Sequence, residues 1–306
     1  MAGNFWRSSH YQQWLLDRQE NLYERSADLK FLSEEEYQKL FIFFCNLIQT
    51  LGEQLKVKQQ VIATAIVYFR RFYVRNSLKS IDPLLLAPTS IYLASKVEEF
   101  GAISQSKLVA TCQTLIKSRY SYAYPQDFPY RLNHIHEAEF FLLEMMDCCL
   151  IVYHPYRPLV QLMQDISQDE AVISTAWKVL NDSYRSDVCL LFPPYQIALA
   201  CLHIAFVLLG KDMNNWFAEI SVDTDRIFEI EKQIFAMYSL WKSFDEKKEI
   251  GPLLQKVPKP KTQPSRPPSA ADNATNVDNG NTAALTASCS ILENTAIMSA
   301  IQKVKF

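Results

Sequence analysis

Glycine is scarce in this chain. Only 6 of its 306 residues are glycine, about 2% against a usual ~7%. They are Gly3, Gly52, Gly101, Gly210, Gly251 and Gly280, and no two lie close together. Loops that cradle phosphate need clustered glycines, because only a backbone without Cβ comes close enough to the phosphate oxygens. The chain therefore has no Walker loop, no dinucleotide fingerprint and no kinase-type glycine loop. Tight β-hairpins also lean on glycine. Their lack argues against a sandwich or barrel and leaves a mainly helical protein.

Other absences narrow the class further. None of the seven cysteines (45, 112, 148, 149, 189, 201 and 289) forms a C-x-x-C pair, and six sit in apolar stretches. That pattern suits reduced, buried thiols in a nuclear or cytosolic protein. The opening MAGNFWRSSH has no apolar core of a secretory signal. The longest apolar run, 197–209, is interrupted by His203 and falls short of the ~20 residues of a spanning helix. His134 and His136 are two apart, so a helix points them to different faces, and no cysteine or carboxylate set completes a metal site. No metal, cofactor or membrane contact is expected. Residues 255–306 hold six basic and three acidic side chains, a net +3, which leaves −5 on the rest of a chain whose total is −2. A body that acidic is poorly suited to neutralising duplex phosphates, so direct nucleic-acid contact is not expected.

What is present reads as helices. One helix is expected over 9–25. Ser33-Glu-Glu-Glu36 is a capping box, in which Ser33 and Glu36 cap each other's turn. Tyr37, Leu40, Phe41, Phe44, Leu47, Ile48 and Leu51 then follow the spacing of one buried stripe, with Gly52 as the stop. A second helix carries Val61, Ala65, Tyr68, Phe69 and Phe72. A third opens at Asp82-Pro83, a cap followed by proline at the first helical position, and ends before Gly101. Others are expected near 106–117 and 130–147, then near 156–166, 168–184, 193–209, 212–219 and 223–243. From Pro252 the composition turns to Pro, Asn, Thr, Ala and Ser, the mark of a disordered tail. Ile291, Ile297, Ile301 and Val304 leave room there for a weak amphipathic helix.

The two runs of helices echo each other. Pro-Thr-Ser-Ile-Tyr-Leu-Ala-Ser at 88–95 matches Pro-Tyr-Gln-Ile-Ala-Leu-Ala-Cys at 194–201, and Leu84-Leu85 matches Leu190-Leu191 at the same offset of 106. In each, proline is read as opening a small-residue helix that glycine (Gly101, Gly210) closes. A duplicated five-helix unit explains this better than chance.

At this point the chain resembles a known family. Leu93-Ala-Ser-Lys-Val-Glu-Glu99 is similar to the cyclin box, as are Gly52-Glu-Gln-Leu-Lys56, Tyr68-Phe-Arg-Arg-Phe72 and Glu139-Phe-Phe-Leu-Leu-Glu144. MAGNFW, Ser33-Glu-Glu-Glu-Tyr37 and Ile151-Val-Tyr-His-Pro-Tyr-Arg-Pro-Leu159 look closest to the C-type members, the cyclins of the Mediator kinase module. The resemblance implies an all-α fold of two tandem five-helix cyclin-box repeats with an N-terminal helix and a disordered C-terminal tail. The expected boundaries are 1–32 for the N-terminal helix, 33–152 and 153–251 for the repeats, and 252–306 for the tail.

The resemblance also implies a role. It is that of a non-catalytic nuclear subunit that binds and activates a cyclin-dependent kinase, alongside other Mediator subunits, in RNA polymerase II transcription. The family's kinase-binding lysine and glutamate fall on Lys96 and Glu139. Glu98 and Glu99 end a helix, where negative charge opposes the helix dipole. They are expected either to face cations of the kinase or to serve solubility alone. The N-terminal helix, with Trp14 and Leu15, offers a second contact surface, or its aromatics (Trp6 among them) only dock it on the first repeat. Cell-cycle cyclins dock substrates through an arginine patch. Here Phe41 replaces the arginine, Leu47 the groove tryptophan and Arg70 the arginine's aspartate partner, so docking there is not expected. Leu202 stands where the first repeat has Lys96. Two rival readings remain. One is a duplicated-cyclin transcription factor on DNA, disfavoured by the −5 body and the missing C-x-x-C pairs; the other is a kinase-independent helical adaptor.

Overall fold

In the computed structural model the regular elements are all helices. The structure describes residues 3–258, apart from 102, 167–168, 213 and 221, and among the described residues there is no strand. The tail beyond 258, with its Ile291–Val304 pattern, lies outside them.

The N-terminal segment departs from the single helix expected over 9–25. It folds as α1 (Ser9–Gln13) and α2 (Arg18–Glu24), with 3-10 turns at Phe5–Arg7 and Arg25–Ala27. The cause lies at Trp14 and Leu16, which are both buried. Two residues apart, they would point to different faces of a helix. The chain unwinds instead. Trp14 slides beneath the guanidinium groups of Arg71 and Arg75, at 5.1 and 4.0 Å from the ring centroid. The Leu16 N–H donates to Leu190 C=O at 2.8 Å, and Asp17 caps α2 through Arg18 N at 2.8 Å.

Five helices form the first repeat: α3 (Glu34–Leu55), α4 (Gln59–Arg75), α5 (Pro83–Val97), α6 (Gln105–Ser118) and α7 (Leu132–Met145). The capping box opens α3 as expected, with Glu36 N donating to Ser33 Oγ at 3.2 Å and Ser33 N to Glu36 Oε2 at 2.9 Å. Gly52 does not stop α3. The helix runs on to Leu55, and Lys56 takes the left-handed turn at φ 59. Gly52 serves close packing instead, since a Cβ there would lie 2.5 Å from Ile62 Cγ1. Asp82 caps α5 through Leu84 N at 2.9 Å. Packed against α3, α4, α6 and α7, α5 is the hub of the repeat and is buried along most of its length. Pro88 lies inside α5 rather than opening it.

The second repeat has the same plan. It contains α8 (Tyr156–Asp165), α9 (Glu170–Ser183), α10 (Val188–Leu191), α11 (Pro194–Leu209), α12 (Asn214–Glu219) and α13 (Thr224–Ser243). Here α11 is the hub, packed on α8, α9, α10 and α13. At the offset of 106, α10 and α11 together match α5, and the Phe192-Pro193 step divides them because the residue before proline is pushed out of helical geometry. Gly210, at φ 64, closes α11.

A last helix, α14 (Glu246–Lys256), is not among the expected ones, and it runs on past Pro252, where the tail is expected to begin. It returns to the first repeat and lies on α3. In a helix interior glycine costs about 1 kcal/mol and proline about 3 kcal/mol relative to alanine. Ile250 and Leu253 are buried, and burial of each such side chain contributes about 1.5–3 kcal/mol. Packing here just overcomes poor propensity.

Buried charge joins the repeats. Asp187, ahead of α10, accepts Arg70 Nη1 from α4 at 2.9 Å and Arg25 Nη2 from the N-terminal segment at 2.6 Å. Arg70 Nε also donates to Tyr184 C=O at 2.8 Å, and its guanidinium lies 5.3 Å from the Phe41 ring centroid. Burial alone would raise the Asp187 pKa, but Arg25 and Arg70 overcome it and hold it at about 2. His154 bridges the same junction, with Thr64 Oγ1 2.7 Å from its Nε2 and Tyr184 OH 2.6 Å from its Nδ1. Burial, with Arg71 nearby, lowers its pKa to about 3. The cysteine expectation holds at 45, 112, 189 and 201 but not at Cys148, which is exposed, or at Cys149, which is half-buried. Cys148 lies in the turn after α7, where Asp147 and Cys148 are both left-handed, at φ 50 and 52.

Candidate functional site

The end of α5 and the middle of α7 meet at one point on the first repeat. Ser95 is fully buried and the next residue, Lys96, emerges. Its Nζ lies 2.5 Å from Glu139 Oε1, with the lysine side chain 39% and the glutamate 10% exposed. The carboxylate is enclosed and the ammonium faces outward. Glu139 Oε1 has this cation as its charge partner, but no hydrogen bond of regular geometry. The Lys96 ammonium also sits 4.4 Å from the Tyr92 ring centroid, a cation–π contact. Tyr92 is pinned in turn, its hydroxyl accepting from Gln105 Nε2 at 2.9 Å, and the same amide lies 2.9 Å from His136 Nε2. Two anchors thus hold a three-proton donor, and neither uses all of its protons. Such a group is suited to donate to backbone carbonyls of a docked partner. Tyr92 was missed in the sequence, although its position one turn before Lys96 is the signal that finds it.

Apolar surface accompanies the pair. Phe140 and Phe141 directly follow Glu139 on α7 and are 74% and 51% exposed, while Ile151, just beyond, is 66% exposed. Side chains of this size left in water mark a contact surface when they cluster. The core face of α7 runs through Ile135, Ala138 and Leu142, so the two phenylalanines are off the buried stripe.

The two glutamates at the end of α5 behave differently. Glu98 turns inward. Its Oε1 accepts from Thr64 Oγ1 and its Oε2 from Gln60 Nε2, both at 2.5 Å, and His154 Nε2 lies 3.9 Å away. Partners inside the chain already hold the charge that the sequence left unpaired. Glu99 is exposed and sits at φ 50. Phe100 N donates to Ser95 C=O at 3.1 Å and Glu99 N to Lys96 C=O at 3.3 Å, which is the glycine-type helix ending. Glu99 takes the left-handed position that closes the helix, two residues ahead of Gly101, whose φ is also positive at 108. Of the N-terminal aromatics, Trp14 is fully buried and Trp6 is 51% exposed.

The second repeat lacks an equivalent lysine. Leu202 is fully buried. A pair does bridge its hub and last long helix, His203 Nδ1 to Glu231 Oε1 at 2.5 Å, with the side chains 25% and 8% exposed. Among the described residues no group of three or more metal-ligating side chains converges, and no helix is long and apolar enough to cross a membrane.

Comparison with known proteins agrees with this layout. The family model of the cyclin N-terminal domain matches residues 13–151, and that of the cyclin C-terminal domain matches residues 154–242. Cyclin-C of Drosophila melanogaster is 64% identical over 267 residues, 87% of this chain and all of that protein. Cyclin-C of Rattus norvegicus is 61% identical over 265 residues, 87% of this chain and 94% of that one. A chain of the yeast TFIIK complex superposes with a TM-score of 0.61 at 25% identity, covering 75% of this chain and all of that one. A chain of the CAK complex of Chaetomium thermophilum shares the fold, with a TM-score of 0.64 at 20% identity over 83% of this chain and 87% of that one. With a family model matching each hub-centred repeat, the chain belongs to the cyclin family, beside the cyclin-C proteins it resembles.

Proposed function

We propose that this chain is the non-catalytic regulatory subunit of a cyclin-dependent kinase in the Mediator kinase module. In that role it acts in the nucleus, activating the kinase toward the RNA polymerase II C-terminal domain and toward transcription factors. The observation that carries the reading is the Lys96–Glu139 pair at 2.5 Å, with Phe140 and Phe141 exposed beside it. A buried carboxylate holds an exposed ammonium, and an apolar surface borders it. A kinase helix with free backbone carbonyls at its C-terminal end would meet the ammonium while its apolar side chains cover the phenylalanines. Glu99 is the free carboxylate at this end of α5 and would meet a cation of the kinase; Glu98 supports the turn from within. Catalytic machinery belongs to the partner. Trp6 and the exposed side of α2, where Leu22 and Tyr23 are 45% and 77% exposed, give a further surface for the kinase or another Mediator subunit. The test is affinity purification of the full chain from nuclear extract, with co-purifying proteins identified by mass spectrometry. A cyclin-dependent kinase together with Mediator subunits is the expected outcome. Recovery of no kinase contradicts the proposal.

A further inference from the structure

The turn after α7 carries Cys148 and Cys149, the only two cysteines adjacent in the chain. Both thiols are free; Cys148 is exposed and Cys149 half-buried. Asp147 and Cys148 stand at φ 50 and 52, although neither is glycine, the residue that takes the left-handed region at no steric cost. The surroundings hold that conformation. Cys148 N donates to Leu143 C=O at 3.0 Å and Cys149 N to Met146 C=O at 2.9 Å. Asp147 pairs with Arg75 at 3.1 Å, and Cys149 C=O accepts from Arg71 Nη1 at 3.3 Å. The Cys149 thiol donates to Gln13 Oε1 at 2.9 Å. Strained backbone of this kind gathers at functional sites. What it holds toward solvent here is one thiol with a second a single residue away.

The other described thiols have a different setting. Cys45, Cys112, Cys189 and Cys201 are buried, and burial pushes Cys112 and Cys189 up to about 12. Such thiols are inert. We propose that Cys148 and Cys149 are a reversible oxidation site, at which hydrogen peroxide converts the two thiols into a vicinal disulfide. The exposed Cys148 sulfur attacks one peroxide oxygen. An S–O bond forms, the O–O bond breaks, and the departing oxygen leaves as water with the Cys148 proton. The Cys149 sulfur then attacks Cys148 Sγ. The S–S bond forms, the S–O bond breaks, and a second water leaves with the Cys149 proton. Two thiols lose two electrons, and the peroxide is reduced to two waters. Neighbouring Cα atoms stand about 3.8 Å apart, closer than the usual disulfide range of about 4.4–6.8 Å. The bond is therefore strained and easily reduced, as a regulatory disulfide is and a structural one is not. Closing the ring also withdraws the Cys149 thiol from Gln13, which releases one tie between α1 and the first repeat.

The test needs only the unaltered full chain. It is treated with dilute hydrogen peroxide, then denatured, alkylated and digested for mass spectrometry. The peptide that holds both residues should be lighter by two hydrogens, alkylated at neither sulfur and joined to no other peptide. Its thiols should be lost about tenfold or more faster than those of Cys45, Cys112, Cys189 and Cys201, as exposure dictates. Millimolar glutathione should restore both. Cys149→Ser supplies a second readout. Without the resolving sulfur, Cys148 should stop as a sulfenic acid that dimedone traps, and the unaltered chain should give little of that adduct. Four results overturn the proposal: Cys148 ending as a sulfinic or sulfonic acid beside a free Cys149; a disulfide from Cys148 to Cys289 or to a second chain; oxidation no faster than at the buried thiols; or a bond that glutathione leaves intact.

Discussion

The two repeats share a hub-and-spoke plan but finish the hub differently. In the first repeat α5 is one continuous helix that carries Lys96 in its last turn and closes on a left-handed Glu99. In the second, a proline step divides the hub into α10 and α11, Leu202 is fully buried, and Gly210 makes the left-handed turn. Each repeat places a nitrogen side chain beside a glutamate of its last long helix, both at 2.5 Å. The first pair presents a lysine ammonium at 39% exposure and the second an imidazole at 25%. One architecture therefore leaves an outward-facing ammonium at the end of one hub and a buried leucine at the matching position of the other. The difference lies in a few residues at the hub's end rather than in the fold.

The sharpest way to break the comparison is to exchange the hub residues. Leu202→Lys puts an ammonium where the side chain has no exposure, and we expect a loss of about 5 kcal/mol in urea unfolding, because an unpaired buried charge is among the most damaging changes. Next in size is Asp187→Asn. It leaves Arg70 and Arg25 buried with no carboxylate between them, and we expect a loss of about 3 kcal/mol in the same assay, the scale for breaking a buried ion pair.

The junction also gives a pH effect. His154 and His10, a buried residue of α1 whose Nδ1 accepts from Tyr153 N at 3.0 Å, have folded pKa values lowered by burial to about 3 and about 2. Below the ordinary value of 6.5 the unfolded chain takes protons that the folded chain refuses. Stability from these residues is therefore complete above pH 6.5 and falls as pH drops toward 3. From pH 6.5 to 5 we expect a loss of about 2 kcal/mol for each histidine, at about 1.4 kcal/mol per pH unit. Denaturant midpoints measured across that range should show it, and His154→Gln should flatten the curve by about half. The smallest effect belongs to Lys96→Ala/Glu139→Ala, which removes both partners together and leaves no enclosed carboxylate unpaired, and should cost about 1 kcal/mol or less. Stability and partner binding should separate there, whereas at Leu202 they should fall together.

Much of this plan is legible in the residues, and the failures have physical causes. Local signals placed α3 and α5: the reciprocal cap of Ser33 and Glu36, and the Asp82-Pro83 start. The repeat was visible because leucines and prolines kept a fixed offset. Lys96 and Glu139 came through family resemblance, and the structure brings them together. Gly52 misled because a glycine in a helix can serve close approach as well as termination. α14 was missed because Ile250 and Leu253 find their partners on α3, some 200 positions earlier in the chain. Asp187 was missed for the same reason, since its role depends on Arg70, 117 positions away. Glu98 looked unpaired because Gln60 and Thr64 reach it from another helix. What stayed hidden was tertiary contact, which no local window contains.

The central claim is that the first repeat, and not the second, grips the kinase. The direct measurement is kinase recovered on full-length chain from nuclear extract, comparing Lys96→Ala/Glu139→Ala with His203→Ala/Glu231→Ala at matched folded amounts. We expect recovery to fall about tenfold or more for the first variant, the loss from a central charge-assisted contact, and to stay near the unaltered level for the second. Full recovery with the first variant, or loss confined to the second, would contradict the account.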